Sequence, residues 1–263
     1  MRARGSSLYV PGDSWLHRLD PLTKLGLALA AVALVFVLPA PPASLGLWLL
    51  LAAVLGSAGL LRALLPVLAG AGFLAVTFFV VQGLVYPGNL HPVLRAGPLV
   101  LYREGLLLGL LLALRLFDIL TATALLVMAT RPSDLVEALV RRGLSPRLGY
   151  VIVAVLQVIP AMVATASTIL DAQRSRGMET EGSLAVRLRA LLPLVTPLVT
   201  GSLLAAHERA LALEVRGFSA RGPRTFLREE AVGRGALLLR GLAALFLLLA
   251  LLLRVAGGVG RWP

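Results

Sequence analysis

Long apolar runs separated by short polar segments dominate the chain, and several of them have the length of a membrane-crossing helix. Crossing the apolar core of a bilayer takes about 20 helical residues, or fewer where polar ends reach the interface. The runs that meet this length lie at residues 22–38, 45–61, 66–86, 106–128 and 237–253. The hydrophobic pattern therefore predicts five transmembrane helices.

The amino-acid composition supports this interpretation. Hydrophobic residues make up 58% of the 263 residues and charged residues 14%, whereas soluble domains carry roughly 25% charged residues. The fold class predicted is an all-α integral membrane protein. The chain has no cysteine, which excludes disulfides, Cys-ligated zinc and a thiol nucleophile.

The segment TRPSDLVEALVRRG, which follows the fourth run, has the pattern of a short amphipathic helix. Asp134 and Glu137 have the spacing of a capping box, and Gly143 stands where a C-terminal cap belongs. One face is apolar and the opposite face is charged, which is typical of a helix that lies at a membrane interface. The apolar face consists of Leu135, Val136, Leu139 and Val140.

Two further apolar stretches, at 148–170 and 188–217, are ambiguous by hydropathy alone. If each crossed the membrane once, the four arginines of the loop 171–189 would lie outside, against the positive-inside rule. If neither crosses, all fourteen basic residues between 131 and 234 stay on one side. The charge pattern therefore favours a cytoplasmic N-terminus and a cytoplasmic or interfacial domain of long apolar helices.

The predicted organisation has four parts. Residues 1–21 form a cytoplasmic N-terminal arm, residues 22–129 the transmembrane helices 1–4, residues 130–235 the cytoplasmic domain, and residues 236–263 the fifth transmembrane helix and the tail. The net charge of +12 follows from basic cytoplasmic loops, and we therefore expect no nucleic-acid partner.

Motifs for catalysis are absent from the sequence. No G-x-x-x-x-G-K-[ST] phosphate loop occurs, and the three histidines are scattered. We therefore expect no catalytic, cofactor-binding or metal site, and no enzyme activity of the chain alone. Arg115 and Asp118 lie three residues apart on one face of the fourth run. They are either a structural ion pair turned toward the bundle or an intramembrane functional site.

Three parts of the sequence resemble the transmembrane T component of energy-coupling factor (ECF) transporters, the EcfT/CbiQ family of the ABC importers. YVPGDSWLHRLDPLTKL resembles the opening of the family, and TRPSDLVEALVRRGLSPRLGY its first coupling segment. LDAQRSRG and ALEVRGF resemble its paired Arg-Gly signatures, each at the end of a long apolar helix.

The resemblance implies a coupling subunit in the plasma membrane of a prokaryote. Such a subunit binds two ABC-type ATPase subunits in the cytoplasm and a membrane-embedded substrate-binding S component, for uptake of vitamins or other micronutrients. It passes ATP-driven motion from the ATPases to the S component. The chain would bind no cofactor, because ATP and Mg²⁺ belong to the ATPases, and membrane lipid would surround its apolar helices.

The resemblance also implies which residues dock the ATPases. The family usually has Ala-Arg-Gly at each site, and a literal copy at Ala220–Gly222 is interpreted as a decoy because ALEVRGF keeps the flanking pattern. Without the resemblance, both Arg-Gly pairs would be ordinary helix C-caps. The docking residues are Ser175, Arg176, Gly177, Val215, Arg216 and Gly217, and the supporting residues are Ala172, Gln173, Glu214 and Phe218.

Three alternatives stay open at this point. The first alternative is a T subunit of a dedicated cobalt or nickel importer, the second a stand-alone carrier or channel, and the third a membrane enzyme. A carrier requires polar groups along a path through the spans, and only Gln82, Arg115, Asp118 and a few Ser and Thr offer them. No enzyme site is recognisable.

Overall fold

The computed structural model describes residues 8–38, 40–96, 99–178, 183–220, 222, 225–226 and 233–255. Within these ranges the chain forms nine helices and one two-stranded hairpin. In chain order they are α1 (Trp15–Arg18), α2 (Pro21–Val37), α3 (Pro41–Ser57), α4 (Leu61–Val85), β1 (Pro92–Ala96), β2 (Leu99–Tyr102), α5 (Arg103–Ala129), α6 (Pro132–Arg141), α7 (Pro146–Ser175), α8 (Leu184–Val215) and α9 (Arg234–Val255). The prediction of an all-α membrane protein is confirmed.

The hairpin is the one element of β structure among the described residues. Its strands pair antiparallel, with Arg95 opposite Val100 and a register irregularity between Pro92 and Leu94. The sequence analysis did not predict it, because the proline- and glycine-rich composition of this segment indicates only a loop. The hairpin lies in the segment that connects α4 to α5.

The five predicted spans correspond to α2, α3, α4, α5 and α9. Several boundaries differ: α3 begins at Pro41 rather than at 45, since proline is well suited to a first helical turn. Helices α4 and α5 are long and apolar enough to cross a membrane, as are residues 235–252 of α9, whereas α2 and α3 have only 17 residues each. Helix α7 also meets this criterion, so its predicted cytoplasmic placement depends on charge alone.

Internal contacts divide the described chain into two compact units. The first unit contains the described residues within 8–143 and 233–255, hence α1–α6, the hairpin and α9. The second unit contains residues 144–229, hence α7 and α8. Helix α6 belongs to the first unit because it packs against α2. The functional domain boundaries given above stay predictions.

Helix α5 is the centre of the first unit, where it packs against α2, α3 and α4. Its contact with α4 is especially close because Gly105 and Gly109 face that helix. A Cβ atom added to Gly105 would lie 2.0 Å from the carbonyl oxygen of Gln82, and one added to Gly109 would lie 2.7 Å from the Cα of Phe79. Small residues at such a spacing let two membrane helices approach backbone to backbone.

The predicted N-cap of the first span is confirmed. Asp20 precedes Pro21, and its Oδ2 accepts a hydrogen bond of 2.9 Å from the backbone N–H of Thr23. Arg240 of α9 donates to the same carboxylate and to the Thr23 hydroxyl, so it ties the last helix to the first. Burial raises the pKa of Asp20, but these hydrogen bonds and the guanidinium charge outweigh burial and hold that pKa below its usual range.

The predicted capping box of α6 is wrong. The helix begins at Pro132, with Arg131 as its N-cap, so Asp134 lies inside the first turn. Glu137 accepts a hydrogen bond of 2.7 Å from Arg141 instead of a backbone N–H. The C-terminal prediction is confirmed, since Gly143 has a φ of +111°.

Arg115 and Asp118 do not form the hydrogen-bonded ion pair that their spacing allows. Nη2 of Arg115 donates to the carbonyl oxygen of Leu38 at 3.3 Å. Asp118 is fully buried, and neither of its carboxylate oxygens accepts a hydrogen bond from a described residue. Among the described residues, Arg115 is therefore hydrogen-bonded to the end of α2 and not to Asp118.

The close contact of α4 with α5 is testable with a single methyl group. We expect Gly105→Ala to push the helices apart and to destabilise the protein by about 1–3 kcal/mol, the usual cost of overpacking. Gly70→Ala in α4 is the control, because open space surrounds that position. Thermal unfolding in detergent measures both, and equal stability of the two variants would contradict the packing described.

The predicted orientation is testable with single cysteines, since the chain has none of its own. Leu90→Cys, between α4 and the hairpin, should react with a membrane-impermeant thiol reagent from outside the cell. Ser175→Cys and Ser219→Cys should react only after the membrane is opened. Labelling of either serine position from outside would overturn the cytoplasmic placement of α7 and α8.

Candidate coupling tips at the ends of α7 and α8

The predicted docking residues lie at the C-terminal ends of the two long helices of the second unit. Helix α7 has 30 residues and α8 has 32. The N-terminal half of α7 faces the C-terminal part of α8 across a cleft of about 460 Å³. The cleft is lined by Tyr150, Val151, Ala154, Val155, Val158, Ile159, Met162, Ala206, Arg209, Ala210 and Leu213.

The first tip is the end of α7. Arg176 is the C-cap residue, and Gly177 takes the left-handed conformation with φ of +86°. The N–H of Gly177 donates to the carbonyl of Arg174 (2.9 Å), and the N–H of Met178 donates to the carbonyl of Gln173 (3.1 Å). These two bonds define a Schellman motif, which satisfies the last carbonyl groups of the helix.

The second tip, at the end of α8, repeats the same geometry. Gly217 has a φ of +71°, and its N–H donates to the carbonyl of Glu214 at 2.9 Å. The N–H of Phe218 donates to the carbonyl of Leu213, also at 2.9 Å. The left-handed glycines predicted at both ends are therefore confirmed, and both arginines occupy the same position of the same motif.

Both arginines project from their tips. Arg176 and Arg216 are exposed, and neither guanidinium forms a hydrogen bond or ion pair with any residue that the structure describes. Val215, beside Arg216, is 90% exposed, which is unusual for an apolar side chain. A rigid backbone end that presents a guanidinium is suited to bind a carboxylate or a carbonyl group.

The first tip is the C-terminal end of α7, and the second tip, at the end of α8, lies beside the N-terminal end of α7. The ring of Phe218 packs on the ring of Tyr150 in the first turns of α7, with centroids 5.5 Å apart. Arg176 follows at the other end of this 30-residue helix. At 1.5 Å per residue, the tips are therefore about 40 Å apart.

The supporting residues contribute in different ways. Gln173 accepts two of the capping bonds through its carbonyl, and Glu214 accepts one, while Ala172 is exposed on the surface of α7. Phe218 braces the second tip through Tyr150, a residue that the sequence analysis missed because nothing in the local pattern links positions 150 and 218. Arg221, the centre of the decoy triplet, lies outside the described residues.

Comparison with known proteins identifies one matching family and several similar proteins. The family model of CbiQ, described as a cobalt transport protein, matches residues 12–226. The chain is also similar to proteins named energy-coupling factor transporter transmembrane protein EcfT. That of Bacillus selenitireducens is 32% identical over 84% of this chain and 86% of the relative. Those of Lacticaseibacillus paracasei and Acidaminococcus fermentans are 30% and 33% identical over more than nine-tenths of both chains.

The chain belongs to the EcfT/CbiQ family of transmembrane T components. It is therefore a prokaryotic membrane protein and the transmembrane component of an ECF transporter. The family match includes α7, α8 and both tips.

The surface of this T component beyond the tips is strongly apolar. Ile159 and Val163 of α7 are 55% and 67% exposed, and Leu203 of α8 is 65% exposed. Continuous apolar surface of this kind requires a cover of lipid or protein. The second unit therefore presents two cationic ends and an apolar middle.

Substitution of the tip glycines tests the capping geometry. Gly177→Ala and Gly217→Ala should each destabilise the chain by about 1–2 kcal/mol, because a side chain disfavours the left-handed conformation. Gly201→Ala, inside α8 with open space around it, should instead stabilise by about 0.5–1 kcal/mol. Thermal unfolding of the purified variants gives the signs, and stabilisation by all three substitutions would contradict the motif.

Proposed function

We propose that this T component transmits ATP-driven motion from two ABC-type ATPase subunits to a substrate-binding S component, for uptake of a vitamin or other micronutrient. The observation that supports the proposal is the pair of equivalent tips. Each ends in a Schellman motif, each projects an arginine, and the two lie about 40 Å apart along α7.

A rigid tip is what force transmission between subunits requires. The capping bonds at Gly177 and Gly217 close the helix ends without help from another element. The arginine of each tip is therefore held by backbone geometry, and its planar fork of donors can bind a carboxylate with two parallel bonds. A docked partner that moves would move the whole helix with it.

The separation of the tips supports the proposal of two partners rather than one. A single small site would bring both arginines together, whereas here about 40 Å of helix lies between them. A pair of similar ATPase subunits, each with one acidic groove, matches two equivalent tips. The chain itself has no phosphate-loop motif, so the energy source would be these partners.

The apolar middle of the unit suits contact with the S component and with lipid. Many exposed side chains in the middle of α7 and α8 are aliphatic, such as Val155, Ile159 and Leu204. A membrane-embedded partner offers a surface of the same kind. A displacement of the cationic tips by the ATPases would then be passed to the S component through this apolar surface.

A dedicated cobalt or nickel importer is the second candidate, favoured by the description of the matching family model as a cobalt transport protein. Both candidates use the tips in the same way, and they differ in the S component. Identification of the small membrane protein that co-purifies with the tagged chain in mild detergent distinguishes them.

Charge reversal at the tips tests the proposed docking. If the arginines only cap helices, Arg176→Glu and Arg216→Glu each cost about 0.3–1 kcal/mol of stability. If each enters a groove on an ATPase, loss of the charge contact costs about 2–5 kcal/mol of binding. We expect each variant to weaken ATPase binding, and the double variant to abolish it, in co-purification and in vesicle uptake assays.

Two controls accompany this experiment. Arg221→Glu, at the decoy triplet, should weaken binding less than Arg216→Glu. Retention of the S component by the double variant shows that the chain still folds and inserts. Near-normal uptake by the double variant would refute the docking role, and a larger loss from Arg221→Glu would place the second tip elsewhere.

A further inference from the structure

The only lysine among the 25 basic residues of this chain is buried in the first unit. Lys24 lies in the first turn of α2 and is 2% exposed. Its ammonium donates to the carbonyl oxygen of Ala129 at 2.7 Å, and the carbonyl oxygen of His17 lies at 3.5 Å. A buried cation requires a specific partner, because its desolvation is costly. Lys24 finds that partner at the C-terminal end of α5.

The carbonyl groups at the end of α5 need a hydrogen-bond donor from outside the helix. The last four carbonyls of a helix have no partner within it, and Thr130 is extended, so α5 does not cap itself. The N–H of Val10 donates to the carbonyl of Met128 at 3.0 Å, and Lys24 serves Ala129. The N-terminal arm and Lys24 therefore cap α5 together.

Residues 8–20 of the arm are held in shape by their own hydrogen bonds. The Nε2 of His17 bonds the carbonyl of Val10 at 2.9 Å, and its Nδ1 bonds the Ser14 hydroxyl at 2.7 Å. The ring of Tyr9 packs edge-on against the His17 ring, with centroids 6.1 Å apart. The arm therefore arrives at α5 as an ordered segment.

The same arm also contacts the start of α6. The guanidinium of Arg131, the N-cap residue of α6, lies 5.3 Å from the centre of the Tyr9 ring, within cation–π range. Asp134, in the first turn of α6, acts electrostatically on Lys24, as does Asp20. Both sides of the turn formed by Thr130 and Arg131 are thus bound to the arm and to Lys24.

We propose that Lys24 is a positioning residue which, together with the N-terminal arm, fixes the turn between α5 and α6 and holds α6 on the first unit. The ammonium is suited to this place because it is a compact point donor at the negative end of the α5 dipole. The proposal concerns the chain alone. Its consequence for energy coupling rests on the proposed function.

Hydrogen exchange of the full chain in lipid nanodiscs tests the proposal. Lys24→Met keeps the length of the side chain and removes its donors. We expect the amides of residues 129–142 to exchange roughly 10- to 100-fold faster, the factor for loss of a hydrogen bond to a charged group. The amides of α4 serve as the internal reference and should not change.

Arg18→Met is the matched control, because it removes an exposed cation from the same arm. It should leave exchange of α6 unchanged. Wild-type exchange of α6 in Lys24→Met would overturn the proposal, and so would an equal acceleration in Arg18→Met.

If Lys24→Met does not insert as a folded protein, Tyr9→Ala carries the test. It removes the ring that faces Arg131 and His17 together with its hydroxyl. Exchange of α6 should be faster by at least roughly 2- to 5-fold, the factor for loss of the cation–π contact alone. Unchanged exchange in Tyr9→Ala would then contradict the role of the arm.

A functional readout separates this inference from the proposed function. In a complex reconstituted with ATPases and S component, Lys24→Met should still bind the ATPases but move less substrate per ATP hydrolysed. Unchanged transport per ATP would refute the coupling consequence. If the wild-type chain binds no ATPase, the proposed function fails, while the exchange experiment still decides the role of Lys24.

Discussion

The carbonyl groups at the C-terminal end of a helix have no partner within it, and this constraint shapes the described structure. The chain meets it in two ways. At the end of α5 the donors come from elsewhere, from Val10 and Lys24, so the junction is buried and fixed. At the ends of α7 and α8 the donors come from the residues just beyond the helix, with a left-handed glycine at the turn. The capping carbonyls of those ends need no donor from another element, and the exposed arginines can contact another protein.

Burial of apolar surface is the second constraint, and this chain cannot satisfy it alone. Phe73 of α4 is 79% exposed and Phe246 of α9 is 65% exposed, so this surface requires a cover of lipid or of another protein. Apart from Arg115 and Asp118 within α5, the charged groups that form contacts among the described residues of the first unit lie near helix ends. The carboxylate of Asp20 caps α2 and receives Arg240, so the last helix is anchored by a polar contact. Helix–helix contact in lipid gains nothing from the hydrophobic effect, which makes such polar contacts and close glycine packing decisive.

Local rules explain what the sequence could predict. The cap at Asp20 and the left-handed glycines at 177 and 217 depend on residues within one turn, and all three predictions are confirmed. The prediction of a capping box in α6 was wrong, because the helix already begins at Pro132 and Glu137 accepts a hydrogen bond from Arg141. Contacts of long sequence separation were beyond reach: Arg240 is 220 residues from Asp20, and Lys24 is 105 residues from Ala129. Hydropathy also cannot decide whether α7 crosses a membrane, since a helix covered by a partner and a helix covered by lipid have the same composition.

The two tips share one backbone motif but lie at different distances from the cleft between α7 and α8. The second tip lies close to the region where α7 and α8 face each other, since Leu213 lines their cleft and Phe218 packs on Tyr150. The first tip lies 14 residues beyond Met162, the last residue of α7 that lines the cleft. At 1.5 Å per residue the lever arms are about 5 Å and about 20 Å. Equal displacements of the two tips would therefore turn α7 and α8 through different angles about the cleft. Under the function proposed above, a symmetric motion of two partners would thus rotate one helix against the other, which tips on equal arms would not produce.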